Sequence, residues 1–383
     1  MHIVADENIP LLDEFLDGLG TLTRLPGRLI DHSSVKSADV LLVRSVTRVS
    51  ASMLAGTPVR FVGTCTIGTD HLDLPGLAAA GIDVVSAPGC NARGVVEYVL
   101  SCLLTLAERS ATAWQDKTVG IVGVGEVGGR LAATLNALGI TCLLCDPPRA
   151  ERGVTGLIEL DELLSRCDVI SCHVPLTTDG PHATHHLLNK QRLLALRPGT
   201  WLINSSRGPV IDNSALLSVM QQRPDLLVAL DVWETEPLVN PQLAALCALA
   251  TPHIAGYSLD GKLRGTEQIY QALCRFLEIP ATRTLAELAP AAGGGQWLMQ
   301  SGAPVDWLLS KALRQVYDVR DDDARLRAMV AGAASEQASR EGFDRLRKEY
   351  PLRRECDLLQ ISTTASEPQV ARRLSAAGFS LGA

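Results

Sequence analysis

The stretch Thr118-Val-Gly-Ile-Val-Gly-Val-Gly-Glu-Val-Gly128 decides how this chain folds. Its first five residues are apolar enough to predict a buried strand, and Val127 to Leu138 has the apolar spacing of a helix, which Gly139 ends. The loop between them has the pattern Gly-x-Gly-x-x-Gly. A strand, a glycine loop and a helix in this order predict a nucleotide-binding α/β unit.

Each glycine of this loop has a separate physical reason. Gly123 permits the tight turn, Gly125 lets the backbone approach a diphosphate, and Gly128 permits close packing of helix on strand. The diphosphate then meets backbone N–H groups at a helix N-terminus. Asp146 closes the next predicted strand, where a carboxylate accepts hydrogen bonds from ribose hydroxyls and repels a 2′-phosphate. The sequence therefore predicts NAD as the cofactor, with an ordinary glycine turn as the alternative.

Three residues far apart in the sequence are candidates for chemistry. Arg207, Glu236 and His253 each follow a separate strand-like segment, so parallel strands bring them to the same sheet edge as the glycine loop. Histidine can take the proton of a hydroxyl near neutral pH, and a carboxylate beside it orients the ring. Arginine can bind a carboxylate and polarise a carbonyl. Each residue alone has a structural reading, but the set predicts oxidation of an alcohol by hydride transfer.

Strand and helix patterns alternate through the first ninety residues, which predicts a second parallel sheet. Ser45 and Thr66 follow predicted strands and therefore lie where ligands bind in such sheets. Apolar spacing predicts a helix from Ile9 to Leu19. A long apolar helix is predicted from Asn91 to Arg109, with Asn91 as its N-cap.

The character of the chain changes after His253. One more helix is predicted from Gly261 to Phe276, and the composition of Pro280 to Gln296 indicates a linker. The remaining residues are richer in charge and carry no chemical motif. Helices are predicted at Val305 to Tyr317 and around Phe343 to Lys348, within a small α+β module.

Composition excludes several classes of protein. The chain has 383 residues, 46% of them hydrophobic and 20% charged, which fits two or three globular domains. A net charge of -7 argues against nucleic-acid and anionic-membrane partners. No apolar run is long enough to span a membrane and the N-terminus does not resemble a signal peptide, so we expect a cytoplasmic protein.

Cysteine and histidine could indicate metal binding, but their placement argues against it. The ten cysteines are scattered, and Cys142 and Cys145 stand three apart on a predicted strand, on opposite faces. His182, His185 and His186 lie in a predicted loop without a cysteine or carboxylate cluster in the sequence around them. We therefore predict buried apolar cysteines and no metal site.

Five motifs give the chain a resemblance to a known family. They are Val122-Gly-Val-Gly-Glu-Val-Gly128, His173-Val-Pro-Leu176, Asn204-Ser-Ser-Arg-Gly-Pro-Val-Ile-Asp212, Asp231-Val-Trp-Glu-Thr-Glu-Pro237 and Thr251-Pro-His-Ile-Ala-Gly256. With these motifs, roughly residues 1–280 resemble the D-isomer-specific 2-hydroxyacid dehydrogenases. The resemblance implies that Arg207, Glu236 and His253 are catalytic, with His253 as the general base.

The resemblance also implies the architecture. A Rossmann-type parallel-sheet dinucleotide domain (residues 93–254) is expected to be inserted into a flavodoxin-like α/β substrate domain (residues 1–92 and 255–285). A small C-terminal α+β module (residues 286–383) is expected to follow and to mediate dimerisation.

A closer likeness to one enzyme type within the family spans nearly the whole chain. It is carried by Leu42-Val-Arg-Ser-Val-Thr47, Cys65-Thr-Ile-Gly-Thr-Asp-His71 and Gly256-Tyr-Ser-Leu-Asp-Gly-Lys262. This likeness implies a phosphorylated 2-hydroxy acid substrate, contacted by Ser45, Thr66 and Tyr257, and a homodimer. The residues expected to line the cofactor are Gly123, Gly125, Glu126, Val127, Gly128, Asp146, Val174, Ser205, Ser206, Arg207, Asp231 and Gly256. Val174 departs from the threonine common in the family, which removes a hydroxyl but keeps the backbone contact.

A phosphorylated substrate needs a second cationic subsite besides Arg207. Arg44, Lys262 and Arg264 are the candidates, and a solvated surface role is the alternative for each. Two other functions remain open at this point: a dehydrogenase of the 3-phosphoglycerate or glyoxylate type, and a regulator that senses NAD(H) without catalysis.

Overall fold

A computed structural model of the chain describes residues 1–290, 296–299, 302–363 and 368–382. Its described strands form three sheets, of five, six and three strands, and every pairing between them is parallel. The glycine-rich part of the predicted linker, residues 291–295, lies outside the described residues. None of the helices in these ranges combines the length and apolar composition needed to cross a membrane.

The elements follow one another in a regular alternation. The first part of the chain forms β1 (His2–Asp6), α1 (Leu12–Leu16), β2 (Thr21–Leu25), β3 (Val40–Val43), α2 (Ala51–Leu54), β4 (Phe61–Thr64), α3 (Leu74–Ala79) and β5 (Asp83–Val85). The middle part forms α4 (Ala92–Ser110), β6 (Val119–Val122), α5 (Glu126–Ala137), β7 (Cys142–Cys145), α6 (Pro147–Glu151), α7 (Leu160–Arg166), β8 (Val169–Cys172), α8 (Lys190–Ala195), β9 (Trp201–Asn204), α9 (Asn213–Gln222), β10 (Leu227–Leu230), α10 (Pro241–Leu246) and β11 (Leu249–Ala250). The last part forms α11 (Leu259–Phe276), α12 (Leu285–Leu288), β12 (Gln296–Met299), α13 (Val305–Val316), α14 (Val319–Gly332), α15 (Glu336–Lys348), β13 (Gln360–Thr363), α16 (Pro368–Ala377) and β14 (Ser380–Leu381).

Contacts between residues divide the chain into two compact units. One holds Met1–Ala92 and the chain from Ser258 to residue 290, and the other holds Arg93–Tyr257 and the described residues after 295. The C-terminal segment (described residues from 296 on) thus belongs to the same unit as the dinucleotide fold. The division into three domains inferred from the sequence stays a prediction.

The first unit contains a flavodoxin-like sheet with strand order β2-β1-β3-β4-β5. Its central strand β3 reads Val-Leu-Leu-Val, and side chains on both of its faces are buried. Val40 and Leu42 belong to one apolar cluster, and Leu41 and Val43 belong to another. A strand buried on both faces is what a parallel sheet covered by helices requires, as the sequence predicts.

The six-stranded sheet of the second unit has the order β11-β10-β9-β8-β6-β7. A single parallel bridge between Leu144 and Leu157 adds a vestige of a further strand beside β7, which completes a Rossmann-type arrangement. The strand that follows β6 in the chain, β7, lies on one side of it, and β8 lies on the other side, so the strand order reverses between β6 and β8. In such sheets, ligands bind at this switch point, outside the carboxyl ends of the strands.

The C-terminal segment contains the predicted helices and a three-stranded parallel sheet of order β12-β13-β14. Leu308 and Leu313 of α13 join the apolar cluster that holds Val99 and Leu103 of α4. On the other face of the dinucleotide sheet, Phe343 of α15 packs in a cluster with Leu202 and Trp233. These shared cores explain why the segment is not a separate compact unit.

Three local expectations are wrong. The helix predicted from Ile9 to Leu19 covers only Leu12–Leu16, because Leu11 has a left-handed φ of 53° and Gly18 one of 79°. Asn91 does not cap α4 through its side chain, since its Oδ1 accepts no hydrogen bond from any described residue. The predicted linker contains α12, which begins with a reciprocal capping box between Thr284 and Glu287.

Sequence reasoning missed several elements, among them the helices α14 and α16 and one edge strand. The edge strand β2 pairs in parallel with β1 through all five of its residues. Its sequence Thr-Leu-Thr-Arg-Leu has a weak alternation, and none of its residues is fully buried. An edge strand lacks the continuous apolar run that identifies a central one.

Candidate active site

One row of residues fixes where the site lies. Val122, Cys172, Asn204, Leu230 and Ala250 end their strands and pair across the sheet, each with the next. The glycine loop, the loop that starts at His173, and the loops carrying Arg207, Glu236 and His253 all begin directly after this row. The sheet therefore delivers the cofactor loop and the three candidate catalytic residues to one edge, as the sequence predicts.

His253 and Glu236 form a pair at this edge. Nδ1 of His253 lies 2.7 Å from Oε1 of Glu236, and 28% of each side chain is exposed. The second carboxylate oxygen, Oε2, accepts a hydrogen bond from the backbone N–H of Trp233 at 3.3 Å. Because Nδ1 is engaged by the carboxylate, Nε2 is the ring nitrogen that can meet a substrate hydroxyl.

The loop that carries His253 is held by Asp231. The Asp231 carboxylate is buried and accepts hydrogen bonds from the Thr251 hydroxyl (2.7 Å) and from the N–H groups of Ile254 (2.8 Å) and Ala255 (2.9 Å). The N–H of His253 donates to the backbone oxygen of Asp231 at 2.7 Å, and His253 has a left-handed φ of 56°. Such a φ is uncommon for a residue other than glycine, so these bonds fix the direction of the imidazole.

The charge on Glu236 is set by its neighbours. Burial opposes ionisation of this carboxyl, but the positive charges of His253 and Arg347 and its hydrogen bonds together lower its pKa below the usual value. Glu236 is therefore an anion at neutral pH and favours the protonated form of the adjacent imidazole. Arg347 belongs to α15 of the C-terminal segment and was not among the residues selected from the sequence.

Arg207 enters the same edge from β9. Its Nη1 donates to the backbone oxygen of Ser206 at 2.8 Å. A Cβ added to the next residue, Gly208, would lie 2.1 Å from the carbonyl carbon and oxygen of Trp233. The Arg207 loop thus packs directly on the backbone that leads to Glu236, and only glycine fits at this contact.

The glycine loop separates into structural and ligand-facing positions. A Cβ on Gly123, whose φ is 90°, would lie 2.6 Å from the backbone oxygen of His173, and one on Gly128 would lie 1.9 Å from that of Gly123. A Cβ on Gly125 would meet open space. Gly125 also precedes α5 without any side-chain cap. The N-terminus of α5 is therefore open to an anion, as diphosphate binding requires.

Asp146 ties the end of β7 to this loop. Its Oδ2 accepts a hydrogen bond from the N–H of Val124 at 2.8 Å, and its Oδ1 caps α6 through the N–H of Arg149 at 3.1 Å. Arg149 in turn donates to the backbone oxygen of Val124. Each carboxylate oxygen can accept more than one hydrogen bond, so Asp146 can hold the loop and still meet ribose hydroxyls.

Most other expected cofactor residues lie around the same loop. The side chain of Val174 lies against the Gly123 turn, 2.8 Å from where a Cβ would be placed. Oγ of Ser205 is buried and makes no hydrogen bond to the described residues, whereas Ser206 donates to Asn204 at 2.8 Å. Glu126 and Val127 open α5, and Gly256 follows the Asp231-bound loop. A glycine-lined cradle, an open helix N-terminus, an acid after β7 and an orphaned hydroxyl fit a dinucleotide.

Ser45 and Thr66 belong to the first unit. Both follow strand ends, β3 and β4, as expected. Ser45 is exposed, and the Thr66 hydroxyl donates to the backbone oxygen of Gly68 at 3.1 Å and pairs with the Thr64 hydroxyl at 2.8 Å.

The cation candidates in this unit separate into two kinds. Burial and the nearby charge of Arg44 lower the pKa of Lys262 to about 8, so these two cations lie within electrostatic reach of one another. Nε of Arg264 instead donates to the backbone oxygen of Cys90 at 2.9 Å. Arg44 and Lys262 together form a like-charged pair that an anion would relieve.

A histidine cluster differs from the sequence-based interpretation. His185, His186 and Glu234 have nitrogen and oxygen atoms within 4.8 Å of one another, so a carboxylate does accompany the histidines. The sequence could not reveal this, because Glu234 is 48 residues away from His186. His186 Nε2 bonds to Glu234 Oε1 at 2.7 Å, and the other oxygen accepts from the N–H of Asn213 at 3.0 Å. Hydrogen bonding thus already accounts for the His186–Glu234 pair, and the His185 ring stacks on that of His186 with centroids 4.0 Å apart.

The cysteines carry no evident chemistry. All ten are free thiols, and eight of them are buried. Burial raises the pKa of Cys142 and Cys145 to about 11, so both stay protonated and unreactive at neutral pH.

Two family models match the chain. The model described as "D-isomer specific 2-hydroxyacid dehydrogenase, NAD binding domain" matches residues 105–255. A second, described as a domain of unknown function, matches residues 296–378. The first contains the glycine loop and the Arg207, Glu236 and His253 loops, and the second contains Arg347.

Whole-chain relatives share one name. A protein of Ectopseudomonas mendocina (strain ymp), named erythronate-4-phosphate dehydrogenase, is 55% identical over 378 residues, which is 99% of each chain. A protein of the same name from Stutzerimonas stutzeri (strain A1501) is 54% identical over 382 residues, covering 100% of both chains.

Solved structures of dehydrogenases have a fold similar to that of this chain. A D-lactate dehydrogenase from Aquifex aeolicus, complexed with NAD and lactic acid, has a TM-score of 0.60 and 25% identity over 73% of this chain and 96% of its own. A 3-phosphoglycerate dehydrogenase from Entamoeba histolytica with bound NAD+ has a TM-score of 0.63 and 23% identity over 73% of this chain and 95% of its own.

Proposed function

The chain belongs to the erythronate-4-phosphate dehydrogenases, a branch of the D-isomer specific 2-hydroxyacid dehydrogenases, and we propose that it oxidises 4-phospho-D-erythronate to (R)-3-hydroxy-2-oxo-4-phosphooxybutanoate. NAD is the cofactor, and when bound it accepts the hydride from C2. The product leads toward pyridoxine 5′-phosphate, a form of vitamin B6. The His253–Glu236 pair, 2.7 Å apart at the edge that carries the glycine loop, is the observation that supports this chemistry best.

His253 takes the proton in this proposal. Loss of a hydride from C2 is favourable only if the hydroxyl proton leaves as well, and Nε2 of His253 receives it. Glu236 holds Nδ1 and stabilises the positive charge that develops on the ring. Asp231 keeps the loop in place, so the ring does not need to reorient during the reaction.

Arg207 binds the C1 carboxylate and the oxygen that becomes the carbonyl. A guanidinium presents two parallel N–H donors to a carboxylate, and it stabilises negative charge on the reacting oxygen. Its loop is packed against the Trp233 backbone, which limits its movement relative to Glu236.

The substrate phosphate is assigned to Arg44 and Lys262. Burial, and secondarily the charge of Arg44, lower the pKa of Lys262, and a bound dianion would favour its charged form. Ser45 and Thr66 lie at the strand ends of the same unit and are proposed as further substrate contacts. Tyr257 is proposed as a substrate contact as well. Arg264 is assigned a structural role because its Nε bonds to the Cys90 backbone.

We also propose that the chain forms a homodimer through its C-terminal segment. Two large apolar side chains of this segment, Trp307 and Leu352, are 64% and 75% exposed, and a second copy could cover them. Deleting the segment would not test this, because its side chains complete the cores of the dinucleotide fold. Sedimentation of the full chain beside Trp307→Asp and Leu352→Asp variants would. A monomeric wild-type chain would contradict the proposal.

The catalytic proposal is tested with the full-length protein, NAD and a panel of substrates. We expect reduced nicotinamide to accumulate with 4-phospho-D-erythronate at a kcat/KM at least about tenfold above that for 3-phospho-D-glycerate or D-lactate. Preference for 3-phosphoglycerate would instead assign that related activity. NAD binding without turnover of any 2-hydroxy acid would favour a regulator that senses the dinucleotide.

A further inference from the structure

A cation from the C-terminal segment lies against Tyr257, four residues after His253. Arg347 is on the last turn of α15, and the centre of its guanidinium lies 5.6 Å from the centroid of the Tyr257 ring. It donates a hydrogen bond to the Tyr257 side chain, and its charge acts on Glu236. Arg347 is therefore connected both to an expected substrate contact and to the residue that orients His253.

The surroundings of Tyr257 are built largely by this segment. Tyr350 meets the Tyr257 ring in an edge-to-face arrangement, with centroids 5.6 Å apart and an interplanar angle of 88°. The Tyr350 hydroxyl donates to Asp322 at 2.8 Å, which fixes that ring in turn. Tyr257 thus contacts both an arginine and an aromatic ring from about ninety residues later in the chain.

Stability alone does not account for Arg347 at this place. Its Nε is buried and makes no hydrogen bond to the described residues, and its stem packs near Phe343, with the guanidinium 5.9 Å from that ring. An unpartnered buried donor costs free energy, and an apolar side chain would fill the same space without that cost. Arg345, on the same helical turn, is exposed, so attraction to the helix C-terminus does not require an arginine at position 347.

We propose that Arg347 is a positioning residue of the active site, which fixes the Tyr257 side chain and places a positive charge beside the Glu236–His253 pair. This gives the C-terminal segment a role in catalysis in addition to its packing. The identity of the substrate rests on the proposed function above, but the electrostatic effect on the pair does not.

The charge has a predictable direction of effect. The titratable groups that interact electrostatically with Arg347 are Tyr257, Glu236 and Asp344. Those that interact electrostatically with Glu236 are His253 and Arg347. A cation beside the pair disfavours binding of a proton to either member. Arg347 therefore helps to keep the pair ready to accept the proton of the substrate hydroxyl at moderately acidic pH.

The test compares Arg347→Met, which keeps the apolar stem and removes the charge, with Arg347→Lys, which keeps the charge. Arg345→Met is the matched control on the exposed side of the same helix. The measurement is kcat/KM for 4-phospho-D-erythronate from pH 5.5 to pH 9, with the full chain and saturating NAD. Circular dichroism and NAD affinity establish that each variant is folded.

We expect the acid limb of the Arg347→Met profile to move up by about 0.5–1 pH unit, which lowers kcat/KM near pH 6 by about three- to tenfold more than on the alkaline plateau. Arg347→Lys should restore the position of the limb, and Arg345→Met should superimpose on wild type. A profile for Arg347→Met that is unchanged, or lowered equally at every pH, would overturn the proposal.

A second measurement separates this inference from the proposed function. The side-chain carboxyl NMR signal of Glu236 can be titrated in the full chain without substrate, with Glu236→Gln used to identify it. Arg347→Met should move that titration to higher pH even if 4-phospho-D-erythronate proves not to be the substrate. An unmoved titration would reject the role of Arg347 whatever the substrate is.

Discussion

Arg353 donates a hydrogen bond from Nη1 to the backbone oxygen of Ala255, at 3.1 Å, two residues beyond His253. The guanidinium also bonds to the backbone oxygen of Gly94 (2.6 Å), pairs with Glu97 (3.4 Å) and stacks 3.7 Å from the Tyr317 ring centroid. Arg353 is 6% exposed and Glu97 3%. The loop that carries His253 is thus held by Asp231 on one side and by the C-terminal segment on the other.

Arg353→Met should destabilise the protein. Removal of the guanidinium takes a buried hydrogen-bond donor from the backbone oxygens of Ala255 and Gly94 and from the Glu97 carboxylate, although Arg93 and the N–H of Cys356 still contact Glu97. We expect a loss of about 2–3 kcal/mol in the free energy of unfolding by urea. Arg372→Met, on an exposed helix face, is the control and should change it by less than about 0.5 kcal/mol. Equal effects would show that Arg353 contributes no more than a surface arginine.

The two members of the catalytic pair should differ in their effect. His253→Asn removes the base, so kcat/KM should fall by about 10²–10⁴ while NAD affinity stays near wild type. Glu236→Gln keeps a side chain of the same shape beside the imidazole but loses the charge, so we expect about a 10–100-fold loss. Glu234→Gln, which alters a carboxylate bonded to His186 and Asn213, is the control. A collapse of NAD affinity in His253→Asn would show a structural role instead.

The glycine loop allows a contrast between binding and folding. Gly125→Ala adds a Cβ that meets open space, so the protein should fold, but the methyl group should occupy the approach to the diphosphate and weaken NAD binding by about tenfold or more. Gly128→Ala places a Cβ 1.9 Å from the Gly123 backbone oxygen and should lower the melting temperature markedly. Calorimetry of each variant with and without NAD distinguishes them. Unchanged NAD affinity in a folded Gly125→Ala variant would contradict the assigned diphosphate site.

Lys262 should make capture of the phosphorylated substrate weaker as the pH rises above about 8. Its pKa is lowered to about 8, so its charge is present below that pH and is lost as the pH rises through it. We expect kcat/KM for 4-phospho-D-erythronate to fall above about pH 8 relative to kcat/KM for an unphosphorylated 2-hydroxy acid. In Lys262→Met, the ratio of kcat/KM for the phosphorylated substrate to kcat/KM for the unphosphorylated one should be lower than in wild type at pH 7. This ratio should also no longer change with pH. A ratio that does not vary with pH in wild type would remove Lys262 from the phosphate subsite.

His173 should weaken the fold in acid. Burial lowers its pKa from the usual 6.5 to about 4, and its Nε2 bonds to the Ser171 hydroxyl at 2.8 Å. Between these two pH values the unfolded chain binds a proton that the folded chain does not. The free energy of unfolding should therefore fall with decreasing pH across this range, by at most about 1.4 kcal/mol per pH unit from this residue.

The comparison for this prediction is His173→Asn, measured by urea unfolding at pH 7.5 and pH 5. The variant should lose less stability between the two conditions than wild type. Equal losses would mean that His173 is protonated in the folded protein as readily as in the unfolded one.

Much of the fold could be read from local patterns. Continuous apolar runs mark β3, β6, β8, β9 and β10, because strands buried on both faces of a parallel sheet need such runs. The glycine loop predicts where the cofactor binds, because each of its glycines either lies too close to a neighbour for a side chain or faces the expected ligand. The sequence also placed Arg207, Glu236 and His253 at one edge, since parallel strands end together.

Local patterns failed where distant residues decide the outcome. The helix near Leu12 is short because of two left-handed residues, and apolar spacing does not report backbone φ. Local patterns in the C-terminal segment also gave no sign that Leu308 and Phe343 complete cores shared with Leu103 and Leu202, which lie far earlier in the chain. Glu234 likewise joins the histidines of a loop 48 residues before it.

The amino-acid sequence by itself determined the architecture, the cofactor loop and the reacting side chains, because helix and strand periodicity and glycine placement are local properties of the chain. Only the tertiary structure decided how those side chains are aimed and charged. Asp231 fixes the His253 loop, and Arg353 and Arg347 reach it from the far end of the chain. Such contacts depend on which surfaces pack together. Contacts between residues about a hundred positions apart produce no periodic pattern in the sequence.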